Sequence, residues 1–341
     1  MQSAKQWTEG VIRAATLEDV DLVNELFNAR SQAMFGENQA TREETLAQWK
    51  GPRTDLSLDS RVALDRDGRA VGWGFVNSPR DPYLTIWCGV TLHPENAGDE
   101  ALWDVLQAWA IGRASDFADK AEAGKRVTLH SSALAQDDAR LGSLERAGYV
   151  RVRVNNRMRI DFSDVPVGPA VWPQGITARA ADLDKDLKGI VGADIEAFRD
   201  HWGHVETPFS EELDGWREFI AELGDGLDPS LWFLAMDGDE IAGIAVCAAR
   251  IADDMTRGYI ESLAVRPAWR KRGIGLALLR HAFGEFQRRS YVAIELDMDS
   301  ENLTGALRLY EKAGMRVIRQ MIQFERELRP GIDLVRRSLD S

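Results

Sequence analysis

Arg270, Lys271 and Arg272 stand directly before Gly273-Ile274-Gly275, and this run of three cations and two glycines is the stretch best suited to chemistry. It follows Tyr259-Ile-Glu-Ser-Leu-Ala-Val265, an apolar, alternating segment that reads as a strand and that Pro267 must end. Beyond Gly275 the period changes. Leu276, Leu279, Phe283 and Phe286 fall at i, i+3, i+7 and i+10, the apolar stripe of a helix. A strand, a glycine turn and a helix start together present unbonded amides and the positive end of a dipole, which bind anions. The expectation is a pyrophosphate cradle with three positive charges beside it; a solvated basic turn is the plainer alternative. Neither common phosphate loop is matched. The G-x-x-x-x-G-K-[ST] pattern is absent, and Leu278 stands where the third glycine of G-x-G-x-x-G belongs, although Glu295 about 20 residues on keeps a dinucleotide reading open.

Val265-x-Pro267-x-x-Arg270-x-x-Gly273-x-Gly275, followed by Asn302 and Leu309-Tyr-Glu-Lys-Ala-Gly314, resembles the acyl-CoA-binding core of the Gcn5-related N-acetyltransferases. The resemblance runs from Ile176 to about Glu327. It implies that Arg270, Lys271, Arg272, Gly273, Ile274 and Gly275 hold the pyrophosphate of acetyl-CoA. It also implies that the backbone around Leu263, Ala264 and Val265 bonds the pantetheine and the acetyl oxygen, and that Asn302 lies near the pantetheine arm. Capping of the following helix explains Asn302 equally well.

Acetyl transfer from a thioester needs a neutral amine, a donor to the developing oxyanion and a proton for the departing thiolate. Glu261, a carboxylate in an apolar strand, is seldom placed there for packing and resembles the family's general base. By alternation it shares a strand face with Leu263. A carboxylate that merely holds an arginine is the alternative, and Glu295 and Asp297 on the adjacent strand are rivals for the role. Tyr310 lies on a stripe with Leu303, Ala306 and Leu307, which makes it a core tyrosine; the resemblance makes it the proton donor to the thiolate. For the acceptor, Asp200, His201, Trp202 and His204 are expected to line a pocket for a small polar amine, and surface packing of Trp202 accounts for them as well.

The elements that must position these groups occur twice. Arg13-Ala-Ala-Thr-Leu-Glu-Asp19 recurs as Arg179-Ala-Ala-Asp-Leu-Asp-Lys185, and Glu145-Arg-Ala-Gly-Tyr149 as Glu311-Lys-Ala-Gly-Met315. Between them the turns at Asp67-Gly68 and Asp237-Gly238 also correspond. Two copies of one fold follow: an N-terminal domain over 1–163, a Pro-rich linker over 164–174, a C-terminal domain over 175–330 and a tail over 331–341. Strands alternating with helices after a hairpin give an α/β (mixed α+β) class, two lobes each with a mixed, mostly antiparallel sheet flanked by helices. The first copy's loop, His93-Pro-Glu-Asn-Ala-Gly-Asp-Glu100, is acidic where the second is basic, and Leu144 takes the place of Tyr310. A carboxylate suits a helix start but repels a pyrophosphate, so the first copy is expected to be catalytically silent.

The formal charge of −13 argues against nucleic-acid or acidic-membrane partners. Cys88 and Cys247 lie inside apolar runs and read as buried thiols of a reducing compartment. No His/Cys spacing suggests a metal, no run approaches membrane-spanning length, and the first residues carry no apolar signal core, so a cytoplasmic location is expected. The expected activity is acetyl-CoA-dependent N-acetylation of a small-molecule amine. An acyl-CoA-binding sensor or scaffold without turnover, and a protein N-acetyltransferase, are the competing readings.

Overall fold

A computed structural model of the chain describes residues 7–52, 54–77, 82–164, 166–200, 206–251, 254–300 and 305–334. In the first copy β1 (Gly10–Arg13) leads to α1 (Val20–Phe35), α2 (Arg42–Trp49) and α3 (Leu56–Asp59). The hairpin β2 (Ser60–Asp65) and β3 (Ala70–Asn77) precedes β4 (Thr85–Leu92) and α4 (Glu100–Ala118), and β5 (Val127–Leu134), α5 (Asp138–Arg146) and β6 (Val150–Asp161) follow. The second copy repeats the order as β7 (Ile176–Ala180), α6 (Leu183–Phe198), α7 (Phe209–Leu223), β8 (Phe233–Asp237) and β9 (Glu240–Ala248). It continues with β10 (Arg257–Val265), α8 (Ile274–Arg288), β11 (Ala293–Asp299), α9 (Ala306–Ala313) and β12 (Arg316–Arg329). Among the described residues no helix is long and apolar enough to cross a membrane.

The chain divides into two compact units whose boundary does not follow the copies. The first unit takes the described residues up to Val154 together with Met321–Leu334, and the second takes Asn155–Gln320. In the first, the strand order is β1-β2-β3-β4-β5-β12; in the second it is β6-β11-β10-β9-β8-β7. Each copy was expected to keep its own closing strand. Instead β12 from Met321 pairs with β5, and β6 from Asn155 pairs with β11. Both closing strands alternate, with Met158 and Ile160, or Ile322 and Phe324, buried. Alternation marks a strand and its buried face but does not name its neighbour. Among the described strands β4–β5 and β10–β11 pair in parallel, and the other strand pairs within each unit run antiparallel.

Helices cover both faces of the second unit's sheet. On one face Ile274, Leu278, Ala282 and Phe286 of α8, spaced by four, pack on Ile260, Ile294, Leu296, Met158 and Ile160. Leu276, expected on that stripe, is only half-buried, and Leu278 takes its place. On the other face Ile190, Ala193 and Ala197 of α6 meet Leu234, Ile244, Val246 and Ala264. Gly258 lets β10 lie under α8, because a Cβ there would come 2.0 Å from Cε1 of Phe286. Gly258→Ala is therefore expected to destabilise the second unit by about 1–3 kcal/mol, read from urea unfolding; an unchanged midpoint would show that the Phe286 ring moves aside freely.

Candidate active site

β10 and β11 pair over four residues, Arg257–Ile260 against Ala293–Leu296, and then part. β10 stays bonded to β9 on its other edge through Val265, with one irregularity: Ile260 opposes Cys247 and Ser262 opposes Val246, so Glu261 is the extra residue of a β-bulge. The bulge breaks alternation. Ile260 and Leu263, three apart, both pack on the α8 side, so Glu261 does not share the face of Leu263 as expected; its field acts on Tyr259, on the opposite face. Past the bulge, alternation returns. The amide of Arg266 donates to Ala242 of β9, so that of Ala264 also points to β9, while those of Leu263 and Val265 point to the open edge.

The face of the sheet towards α6 is charged. Arg157 of β6 grips Asp297 with Nε and Nη2 at 2.6 and 2.8 Å, lies 4.8 Å over the ring of Tyr259, and reaches Glu295 at 3.3 Å. Glu295 is 1% exposed and also faces Arg257 and Arg159. Both rival carboxylates are therefore occupied by arginines. Glu261 is exposed to solvent, with protein packed around it. That crowding pushes its carboxyl up to about 7, with Arg157 opposing and Asp297 adding to the rise. Asp194 of α6, which was not foreseen, accepts a 2.6 Å hydrogen bond from Ser262 Oγ beside the bulge. Burial raises it to about 6, against that hydrogen bond and with help from Glu212. Its place beside the apolar positions Ile190, Ala193 and Ala197 was the available signal.

Beyond Val265 the chain makes one turn over Pro267–Trp269 and enters α8. Gly273 is the N-cap with φ +91°, a left-handed conformation that favours glycine, and no side chain caps the helix. The opening amides of α8 have no partner within the helix and no capping side chain at its start. The flanking cations behave differently from expectation. Arg270 donates to both carboxylate oxygens of Asp200, to the Ala197 carbonyl at the end of α6, and to the Val265 carbonyl. A guanidinium fork matches a carboxylate, and a helix C-terminus attracts a cation, so this charge braces the turn against α6. Asp200 is thus the partner of Arg270 rather than an open acceptor group. Arg266 pairs with Glu196 at 2.7 Å and Arg272 lies 3.6 Å from Asp237, while exposed Lys271 has no such partner among the described residues.

Tyr310 of α9 is 9% exposed in the core on the α8 side, and burial pushes its phenol up to about 12. Glu261 and Tyr310 therefore belong to opposite faces of a sheet whose strands part between them. His201, Trp202, His204 and Asn302 lie outside the described residues. The first unit contrasts at each point. Asp99 caps α4 with a 3.0 Å bond from Leu102 N, and Leu144 is fully buried where Tyr310 has its counterpart.

Residues 195–315 match the family model of the acetyltransferase (GNAT) family. A crystal structure of a GCN5-related N-acetyltransferase from Sphaerobacter thermophilus is 32% identical and aligns with a TM-score of 0.79 over 96% of this chain and 98% of that one. A mycothiol acetyltransferase from Streptomyces scabiei is 26% identical over 235 residues, 69% of either chain. A tandem GNAT protein from the clavulanic acid biosynthesis pathway, 14% identical, shares the fold with a TM-score of 0.71 over 94% of this chain and 99% of that one.

A carboxyl raised from 4.5 to about 7 stabilises the fold below its ordinary value and loses that contribution as pH rises through 7. Glu261→Gln is expected to melt higher than the parent at pH 8 and nearly alike at pH 4, below both values. Equal melting temperatures at both pH values would show that Glu261 carries no raised pKa.

Proposed function

The chain belongs to the Gcn5-related N-acetyltransferase family, and from that premise we propose that its second unit acetylates the primary amine of a small-molecule acceptor, with acetyl-CoA as co-substrate. The observation that carries the reading is the parting of β10 from β11, which leaves the amides of Leu263 and Val265 facing an open edge that leads straight to an uncapped helix start. A chain of carbonyls and amides ending in a diphosphate fits that path: hydrogen-bond donors first, then the amides of Ile274 and Gly275 with the ammonium of Lys271. Arg270 contributes by fixing the turn, since its charge is already matched by Asp200.

Acetyl-CoA supplies the activated acyl carbon. The residues of the chain then divide the work. Glu261, near half-ionised at neutral pH and not clamped as Glu295 and Asp297 are, takes the proton of the amine directly or through water. An amide of Leu263 or Val265 donates to the acetyl oxygen as it gains charge. Tyr310 holds its proton at neutral pH and gives it to the departing sulfur. The first unit is non-catalytic in this reading, because Asp99 already occupies the helix start that a diphosphate would need. A small acceptor is favoured over a peptide by the likeness to mycothiol acetyltransferase, which extends beyond the CoA-binding core.

Turnover of acetyl-CoA against a panel of amines tests the proposal. Tyr310→Phe is expected to lower kcat by about 10²-fold with the KM for acetyl-CoA little changed. In the parent, kcat/KM should rise with pH through about 7, and Glu261→Gln should lose that rising limb. Tight CoA binding without transfer to any amine would support a scaffold instead, and full activity in either variant would remove that residue from the chemistry.

A further inference from the structure

Two consecutive side chains leave β10 on the α6 side. Ile260 and Leu263 both pack towards α8, so the bulge turns Glu261 and Ser262, which lie between them, to the opposite face. Ser262 Oγ donates to Asp194 Oδ1 at 2.6 Å. Asp194 stands four residues after Ile190 and three before Ala197, in the stripe with which α6 packs on β9 and β10. A half-buried carboxylate in an apolar stripe is costly, and packing alone would be served by leucine or alanine.

The acids beside it on the α6 segment are held differently. Glu196 pairs with Arg266 at 2.7 Å and Asp200 with Arg270, whereas no cation pairs with Asp194 among the described residues. From α7 it is faced by Glu212, another acid. Charge pairing therefore does not account for its place, and the bond to Ser262 does. The α6 segment thus reaches the reacting strand at three levels. Arg270 donates to the Ala197 carbonyl and to Asp200 at the turn, Arg266 donates to Glu196 at the end of β10, and Ser262 donates to Asp194 at the bulge. The first two hold the turn that opens α8, and the third holds the strand beside Glu261. In the first unit β4 pairs with β3 in unbroken register; where its pairing with β5 stops, at Trp87 and His130, the pair joining helices is Arg30 of α1 with Asp137 at the start of α5.

We propose that Asp194 is a positioning residue for acetyl transfer: through Ser262 it ties the bulge to α6 and so sets where the Glu261 carboxyl stands relative to the turn at Arg270. This role presupposes Glu261 as the base. The extra residue of a bulge is left out of the ladder, so β9 does not fix its orientation, and a side-chain bond from the next residue supplies the missing constraint. A catalytic group displaced by about 1 Å can lose about 10²-fold in rate.

Asp194→Ala and Ser262→Ala are each expected to lower kcat by about 10- to 100-fold with the KM for acetyl-CoA little changed, since Arg266 and Arg270 still hold the turn. Because Asp194 acts through Ser262, the double variant should be no slower than either single one. Asp194→Asn keeps an oxygen that can accept from the hydroxyl and should recover most of the loss. The tie also shows in the titration of Glu261, which Arg157 of β6 and Asp297 of β11 face and whose field reaches Tyr259 and Cys247. A bulge released from α6 lets the carboxyl into water, so its midpoint should fall from about 7 towards the ordinary carboxylate range in Asp194→Ala. That midpoint is read without turnover, from the difference in melting temperature between each protein and its Glu261→Gln counterpart across pH. Absence of acetyl transfer in the parent would count against the proposed function, and the midpoint would still decide the tie. Should Asp194→Ala fail to fold, Ser262→Ala carries the same expectations. Additive losses in the double variant, which would mean that Asp194 meets the acceptor directly, no recovery in Asp194→Asn, or an unmoved midpoint would each overturn the proposal.

Discussion

A sheet that opens in its interior must do something with the backbone groups it leaves unpaired, and that obligation governs the second unit. Buried or half-buried amides without partners are costly, which is why neighbouring strands normally stay together along their length. Here β10 keeps β9 throughout but leaves β11 after Ile260. Part of the debt is met internally, where Arg270 Nε takes up the Val265 carbonyl. The amides of Leu263 and Val265 remain for water or for an incoming carbonyl. The bulge at Glu261 is the local device: one added residue sets a carboxyl on the α6 side and restores the apolar side of the strand to α8.

The two units show how one architecture can be turned to opposite electrostatic ends. At the start of α8 a glycine with φ +91° leaves the amides to the surroundings; at the start of α4 an aspartate closes them. The gap beyond Ile260 is bordered by a carboxylate with a raised pKa on one face, and that beyond Trp87 is crossed by an arginine–aspartate pair. None of this alters the order of strands within a unit, and so the hydrophobic layers tolerate it.

Local pattern was a good guide to local structure. Alternation over 259–265 and the helical stripe after Gly275 placed β10 and α8 close to where they stand, since both signals come from residues that touch the core. Glycine at 273 was legible for the same reason, as a backbone requirement rather than a contact. What failed depended on distant partners. The charge of Arg270 is visible in the sequence, but Asp200, which cancels it, lies seventy residues away. Glu295 and Glu261 look alike as carboxylates in apolar strands, and what separates them is the set of arginines, Arg157, Arg159 and Arg257, that the adjacent strands β6 and β10 bring to Glu295. A bulge of one residue leaves no mark on composition, so the face of Glu261 could not be read by counting.

The placement of the closing strands has a consequence for how the molecule comes into being. The first unit includes Met321–Leu334, so a nascent chain that has finished the first copy still lacks the last strand of that copy's sheet. Until residues 321–334 have left the ribosome, β5 lacks the strand it pairs with and is open to stray pairing. Cutting the gene between the repeats would therefore yield two incomplete halves, and assembly of either compact body is tied to synthesis of the other.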